Sequence, residues 1–131
     1  MEQVDHIGIA VGSLDDAKRL FIDLLGMRLV NEGSSDEFGV RFARVAPPTG
    51  PTIELLEYLD ESVRGANMLD HLALAVPELD IAVDALQAKG IRVDRPEPTV
   101  TTRPGGIDRS TTTLPSSTYG IRIQLVEHRD A

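Results

Sequence analysis

The chain contains no cysteine and no tryptophan, and only two tyrosines and three phenylalanines among its 131 residues. Without cysteine there are no disulfides, no thiolate metal sites and no cysteine nucleophile. Basic residues are outnumbered: the formal net charge is −8. A phosphate backbone needs a basic stripe, so no nucleic-acid partner is expected. No apolar run approaches the length of a membrane span, so no membrane partner is expected either. The opening "MEQVDHIGIAV" lacks the basic stretch of a secretory signal, which makes the cytoplasm the expected compartment. No glycine-rich segment fits a phosphate-binding motif, and no spacing supports a Ser-His-Asp triad. What remains, 41% hydrophobic and 26% charged residues, is an ordinary globular mixture of about one domain.

What the chain does have is a repeat. "DHIGIAVGSLDDA" (5–17) matches "DHLALAVPELDIA" (70–82) at more than half of its positions. "LGMRLV" (25–30) is followed in kind by "KGIRV" (89–93), and "IELLE" (53–57) by "IQLVE" (123–127). The chain is therefore expected to form two modules, 1–60 and 66–131, together one structural domain. Each is read as strand, helix and three strands. The first helix covers "SLDDAKRLFIDLLG", with Ser13 as N-cap and Gly26 as its end. Its apolar stripe is Leu14, Ala17, Leu20, Phe21, Leu24 and Leu25. The remaining strands are expected near 28–32, 38–46 and 52–58 in the first module, and near 91–94, 107–114 and 120–127 in the second. "APPTGPT" (46–52) is read as a turn and "RPEPTVTTRPGG" (95–106) as a longer loop.

Strand alternation gives each module two faces. Ile7, Ile9 and Val11 point one way, with Leu72, Leu74 and Val76 as their copies, and these bulky residues belong under the helices. The other face carries His6, Gly8 and Ala10, and in the copy His71, Ala73 and Ala75. A histidine followed by very small residues leaves room for a ligand. In the last strands Ile53 and Leu55 belong under the helix, as do Ile123 and Leu125. Glu54 and Gln124 then fall on the small-residue face. Burying an unpaired carboxylate is costly. Two imidazoles, a carboxylate and an amide oxygen are ordinary ligands for a divalent first-row metal. His6, Glu54, His71 and Gln124 are the candidate metal ligands.

At these residues the chain resembles the vicinal oxygen chelate (glyoxalase/bleomycin resistance/dioxygenase) superfamily, and within it methylmalonyl-CoA epimerase-like proteins. The stretches that carry the resemblance are "VDHIGIAVGSLDDAKRLFIDLLGMRLV", "IELLE", "DHLALAV" and "GIRIQLVE", which span nearly the whole chain. The resemblance implies an α+β, glyoxalase-like fold: two βαβββ modules related by pseudo-two-fold symmetry, forming a cupped, incomplete eight-stranded barrel. It also implies a divalent ion (Co2+, Zn2+, Mn2+, Ni2+ or Fe2+) on those four residues, a carbonyl or acyl-CoA substrate, and a homodimer. Epimerases of this type use two glutamates for proton transfer. Here Gln124 takes the place of one, and Phe42 or a neighbour the place of the other. "HP" before the last strand is replaced by Leu114-Pro115.

The function this implies is an isomerase or lyase acting on a carbonyl or CoA-thioester substrate through a metal-stabilised enolate. Glu54 is the one carboxylate available as base. Arg41 and Arg44 are expected to meet an anionic substrate, and Phe42 and Tyr119 to line its site. Two other readings start from the same residues. His6, His71 and Glu54 form the two-histidine, one-carboxylate set of non-haem Fe(II) dioxygenases. A resistance-type binding protein would need no catalytic metal, but such proteins stack ligands on aromatic rings, which are scarce in this chain.

Overall fold

The computed structural model describes residues 3–60 and 68–130. They fall into two compact units, the described residues of His6–Asp70 and those of Met1–Asp5 with His71–Ala131. No described helix is long and apolar enough to cross a membrane.

The strands β1 (Gln3–Ala10, in the first unit from His6 on), β2 (Arg28–Ser35), β3 (Val40–Ala46) and β4 (Thr52–Tyr58) lie in the order β2-β3-β4-β1. β1 runs parallel to β4, with Ile7 beside Ile53 and Gly8 beside Glu54. The parallel pair requires a crossover, and the helical segment after β1 supplies it. Its first part, α1 (Leu14–Lys18), starts where expected: the Ser13 hydroxyl accepts from the Asp16 N–H at 3.2 Å. From Arg19 to Leu24 the chain widens into π turns, and the Leu25 N–H donates to the Leu20 carbonyl, five residues back. The extra residue per turn shifts every later side chain around the axis. Phe21, Ile22 and Met27 therefore reach the core formed by Val11, Leu14, Ala17, Ala43, Val45 and Leu55. Leu20, Leu24 and Leu25, expected in the same stripe, are exposed instead.

The second unit repeats the plan. β5 (Met68–Ala75, in this unit from His71 on), α2 (Leu79–Gln87), β6 (Thr99–Arg103), β7 (Gly106–Thr112) and β8 (Ile123–Asp130) give the strand order β5-β8-β7-β6. β5 is parallel to β8, with Ala73 beside Gln124. Val76, Leu79 and Leu125 form the core, with Leu74, Ala82, Val83, Leu86 and Ile123 against it. One strand is displaced from expectation. Residues near 91–94 make only the single bridge Val93–Thr113, and the pairing strand lies inside the segment read as a loop. There Thr99-Val100-Thr101-Thr102 is a β-branched run, which suits an extended edge. Three prolines around it (Pro96, Pro98 and Pro104) masked that signal. Pro104 and Gly105 (φ 86°) turn β6 into β7, a conformation that favours glycine at the second turn position.

The two helices share a device that the repeat hides in plain view. The Leu14 N–H donates to Glu57 Oε1 at 3.0 Å, and the Leu79 N–H to Glu127 Oε1 at 2.8 Å. The last residue of "IELLE" and of "IQLVE" thus satisfies a helix N-terminus from the neighbouring strand, where the orphan N–H groups and the helix dipole favour an anion. Glu127 accordingly faces away from Gln124, as alternation requires.

Candidate metal centre

Each unit places one histidine and one oxygen donor on its small-residue face. In the first unit Glu54 lies beside Gly8, two residues along β1 from His6 and on the same side. Gly8 and Ala10 leave space next to both. In the second unit Gln124 lies beside Ala73, two residues along β5 from His71. Glu54 is 7% exposed and His71 9%. The Gln124 Oε1 is buried without a hydrogen-bond partner. A buried acceptor with no donor is uncommon and calls for an electropositive partner. A cation fits that need, and the donor set of imidazole, carboxylate and amide oxygen fits a divalent ion.

Glu54 is also held from β3. Arg44 is its cross-strand neighbour; the Arg44 Nε donates to Glu54 Oε2 at 2.7 Å, and Nη2 lies 2.7 Å from the same oxygen in an ion pair. The Arg44 Nη1 reaches Asn31 Oδ1 at 3.3 Å, and the guanidinium carbon stands 4.7 Å from the centre of the Phe42 ring. Arg44 and Phe42 therefore share the face of His6 and Glu54. Arg41 does not. It alternates with Ala43 and Val45 on the helix side, where its Nη1 meets Glu57 Oε2 at 3.3 Å. Tyr119 is 99% exposed, at φ 58° in the turn before β8.

The aspartates of the two "DH" copies, to which sequence reasoning gave no role, have matching partners. The Tyr58 hydroxyl donates to Asp70 Oδ1 at 2.7 Å. The repeat equivalent of Tyr58 is His128. Its Nε2 meets Asp5 Oδ1 at 2.5 Å and its Nδ1 meets Asp108 Oδ1 at 2.7 Å. The signal was present in the alignment, since Tyr58 and His128 each follow the shared strand motif. Burial opposes charge on His128, but the hydrogen bonds and negative charges of Asp5 and Asp108 outweigh it and raise its pKa. Glu127 moves the other way. Burial pushes its carboxyl up, while the Leu79 N–H, Arg129 and Arg109 together pull it below the ordinary value.

These two shifts give stability a two-sided pH dependence. The Glu127 contribution is present above 4.5 and is lost as pH falls through its lowered pKa. The His128 contribution is complete below 6.5 and is lost as pH rises through its raised pKa. Denaturation midpoints measured across pH are expected to decline on the alkaline side in the wild type and to flatten there in His128→Tyr, which copies the Tyr58–Asp70 pair. An unchanged alkaline limb in the variant would refute the assignment.

Residues 5–108 match the family described as the Glyoxalase/Bleomycin resistance protein/Dioxygenase superfamily, and the chain belongs to that superfamily. Among solved structures it is similar to methylmalonyl-CoA epimerase from Mycobacterium tuberculosis, with 34% identity and a TM-score of 0.84 over 95% of this chain and 87% of that one. A hypothetical protein from Bacillus halodurans C-125 shares 25% identity at a TM-score of 0.84, over 98% and 96% of the two chains. A variant of Streptomyces coelicolor methylmalonyl-CoA epimerase in complex with 2-nitronate-propionyl-CoA shares the fold, at 24% identity and a TM-score of 0.83 over 97% of each chain. The fold class is thus the α+β, glyoxalase-like one that the repeat and the resemblance led us to expect. A search of the curated proteins returns no match.

Proposed function

We propose that His6 and Glu54 of one unit and His71 and Gln124 of the other hold one divalent ion, and that the protein is an isomerase-type enzyme acting on a carbonyl or acyl-CoA substrate. The observation that carries this reading is the buried Gln124 Oε1, an acceptor that no described donor satisfies, on the same face as His71. The 34% identity to an epimerase of an acyl-CoA supports the substrate class.

Bound there, a divalent ion would act as a Lewis acid on a carbonyl oxygen. The chain's own residues do the rest. Gln124 donates an oxygen but has no proton to transfer. Phe42 presents a ring and cannot act as a base. Glu54 is the remaining carboxylate of the set, and Arg44 holds its Oε2 at 2.7 Å. A single proton-transfer carboxylate favours exchange and isomerisation next to the carbonyl over a symmetrical two-base reaction.

The test is incubation of metal-loaded protein with methylmalonyl-CoA in D2O. Deuterium is expected at the α-carbon, and its appearance should slow at least tenfold in Glu54→Gln. Saturable binding of the thioester with no exchange would reject the isomerase reading in favour of a binding protein.

A further inference from the structure

We propose that the turn carrying Tyr119 is a nucleotide subsite, where the adenine base of an acyl-CoA stacks on the ring and its phosphates meet neighbouring cations. This rests on the acyl-CoA reading above and adds the far end of that substrate.

Residue and backbone are mismatched in this turn. Tyr119 has φ 58° and Gly120 φ 84°, and the Ile121 N–H donates to the Thr118 carbonyl at 3.0 Å. Positive φ at both central residues is the pattern of a type I′ turn, which favours Asn-Gly. A bulky side chain at the first of these positions is strained. Packing does not offset the strain, because Tyr119 is 99% exposed. The chain has only two tyrosines and no tryptophan. It sets one of these few rings where the backbone resists it and where no core gains from it. A ligand that covers the ring accounts for its presence.

The turn is firmly built. The Thr118 hydroxyl donates to the Ile121 carbonyl at 2.6 Å and lies 3.1 Å from the buried Thr113 hydroxyl, which accepts from the Ile123 N–H at 3.1 Å. The Gly120 N–H donates to the Pro115 carbonyl at 2.8 Å. From the neighbouring segment the Arg92 N–H donates to Ser117 Oγ at 3.0 Å, and the Leu114 N–H donates back to the Arg92 carbonyl at 2.7 Å. A ring held on such a base loses little freedom when a flat ligand stacks on it.

Charge narrows the kind of flat ligand. The chain as a whole carries −8, but the two segments that build the turn run the other way. Residues 89–95 and 114–122 hold Lys89, Arg92, Arg95 and Arg122 against a single acid, Asp94. Arg92 and Arg122 are exposed. An aromatic face among cations suits a base that bears phosphates. Its place in the chain agrees: Gln124 follows Tyr119 by five residues, at most about 17 Å of extended backbone. A ligand with its nucleotide at the turn and its thioester near Gln124 has to be long, as an acyl-CoA is.

Adenosine 3′,5′-bisphosphate, the nucleotide end of CoA without its arm or acyl group, is the probe. Its affinity would be measured by calorimetry for wild type, Tyr119→Phe and Tyr119→Asn, each with Co2+ and after chelation, alongside urea midpoints. The wild type should bind it, and Tyr119→Phe, which keeps the ring, should bind it within about threefold. Tyr119→Asn keeps the turn and removes the ring. It should bind at least about fivefold more weakly, the lower end of what one base stacked on one ring contributes, with a midpoint unchanged or raised. No binding to the wild type, or equal binding to Tyr119→Asn, overturns the proposal. So does a lower midpoint in Tyr119→Asn, which would make the ring a packing group. CoA should bind more tightly than the bisphosphate; equal affinities would mean a free nucleotide and reject the acyl-CoA assignment. Tyr119-dependent binding without deuterium exchange on methylmalonyl-CoA keeps the subsite and removes the isomerase reading. Exchange without Tyr119-dependent binding does the reverse.

Discussion

His71→Ala is expected to lower divalent-ion affinity by at least about a hundredfold while leaving the fold intact. Loss of a residue that merely supports a ligand already costs 10–100-fold in comparable sites, and His71 is a proposed ligand itself. The fold should survive because His71 lies on the face of β5 away from the core. Val76, Leu79 and Leu125 pack on the helix side, and the neighbours of His71 on its own face are Ala73 and Ala75. Alanine there removes a ring without opening a gap beneath α2. Calorimetric titration with Co2+ gives the affinity, and urea denaturation without metal gives the stability. A variant that binds Co2+ as wild type does would remove His71 from the ligand set. One that unfolds would make its role structural.

Leu55→Ala is expected to do the opposite, costing about 2–5 kcal/mol of stability. Leu55 is fully buried between Val11, Leu14, Ala17, Ala43 and Val45. It joins β3, β4 and α1, so truncation leaves a cavity that none of the three can close alone. Leu24→Ala is the control. Leu24 looks equivalent in the sequence but is 66% exposed, and its loss should change stability by under about 0.5 kcal/mol. Urea midpoints for both variants check the pair. Equal effects would mean that the π-turn geometry after Lys18 misplaces the core side of the helix.

That contrast shows where sequence reasoning reaches and where it stops. Periodicity identifies that a helix follows β1, but not that its second half gains a residue per turn, so Leu20, Leu24 and Leu25 were assigned to the wrong side. Parity along a strand is rigid. That is why His6, Gly8 and Glu54 could be placed on one face, and Glu127 on the other from Gln124, without coordinates. Register between strands is not written in any one strand. Arg44 meets Glu54 because β3 and β4 pair as they do, and Asn31 meets Arg44 because of a local shift in β2. Neither follows from composition or alternation. The aspartates of the two "DH" copies were visible as a repeat, but their partners, Tyr58 and His128, lie on different strands. β6 was hidden for a simpler reason: its threonines sit between prolines that usually mark loops.

The Arg44–Glu54 pair also bears on the chemistry. Arg44 reaches Glu54 from β3, and its Nε donates to Glu54 Oε2 at 2.7 Å. In this chain Gln124, and Phe42 or a neighbour, stand where the resemblance to epimerases implies glutamates.

The most direct test of the account is the metal content of the wild-type protein after chelation and reconstitution with Co2+, Zn2+, Mn2+, Ni2+ or Fe2+. The account predicts one equivalent of at least one of these ions, lost in His6→Ala and His71→Ala. Only trace, substoichiometric metal under every condition would contradict it.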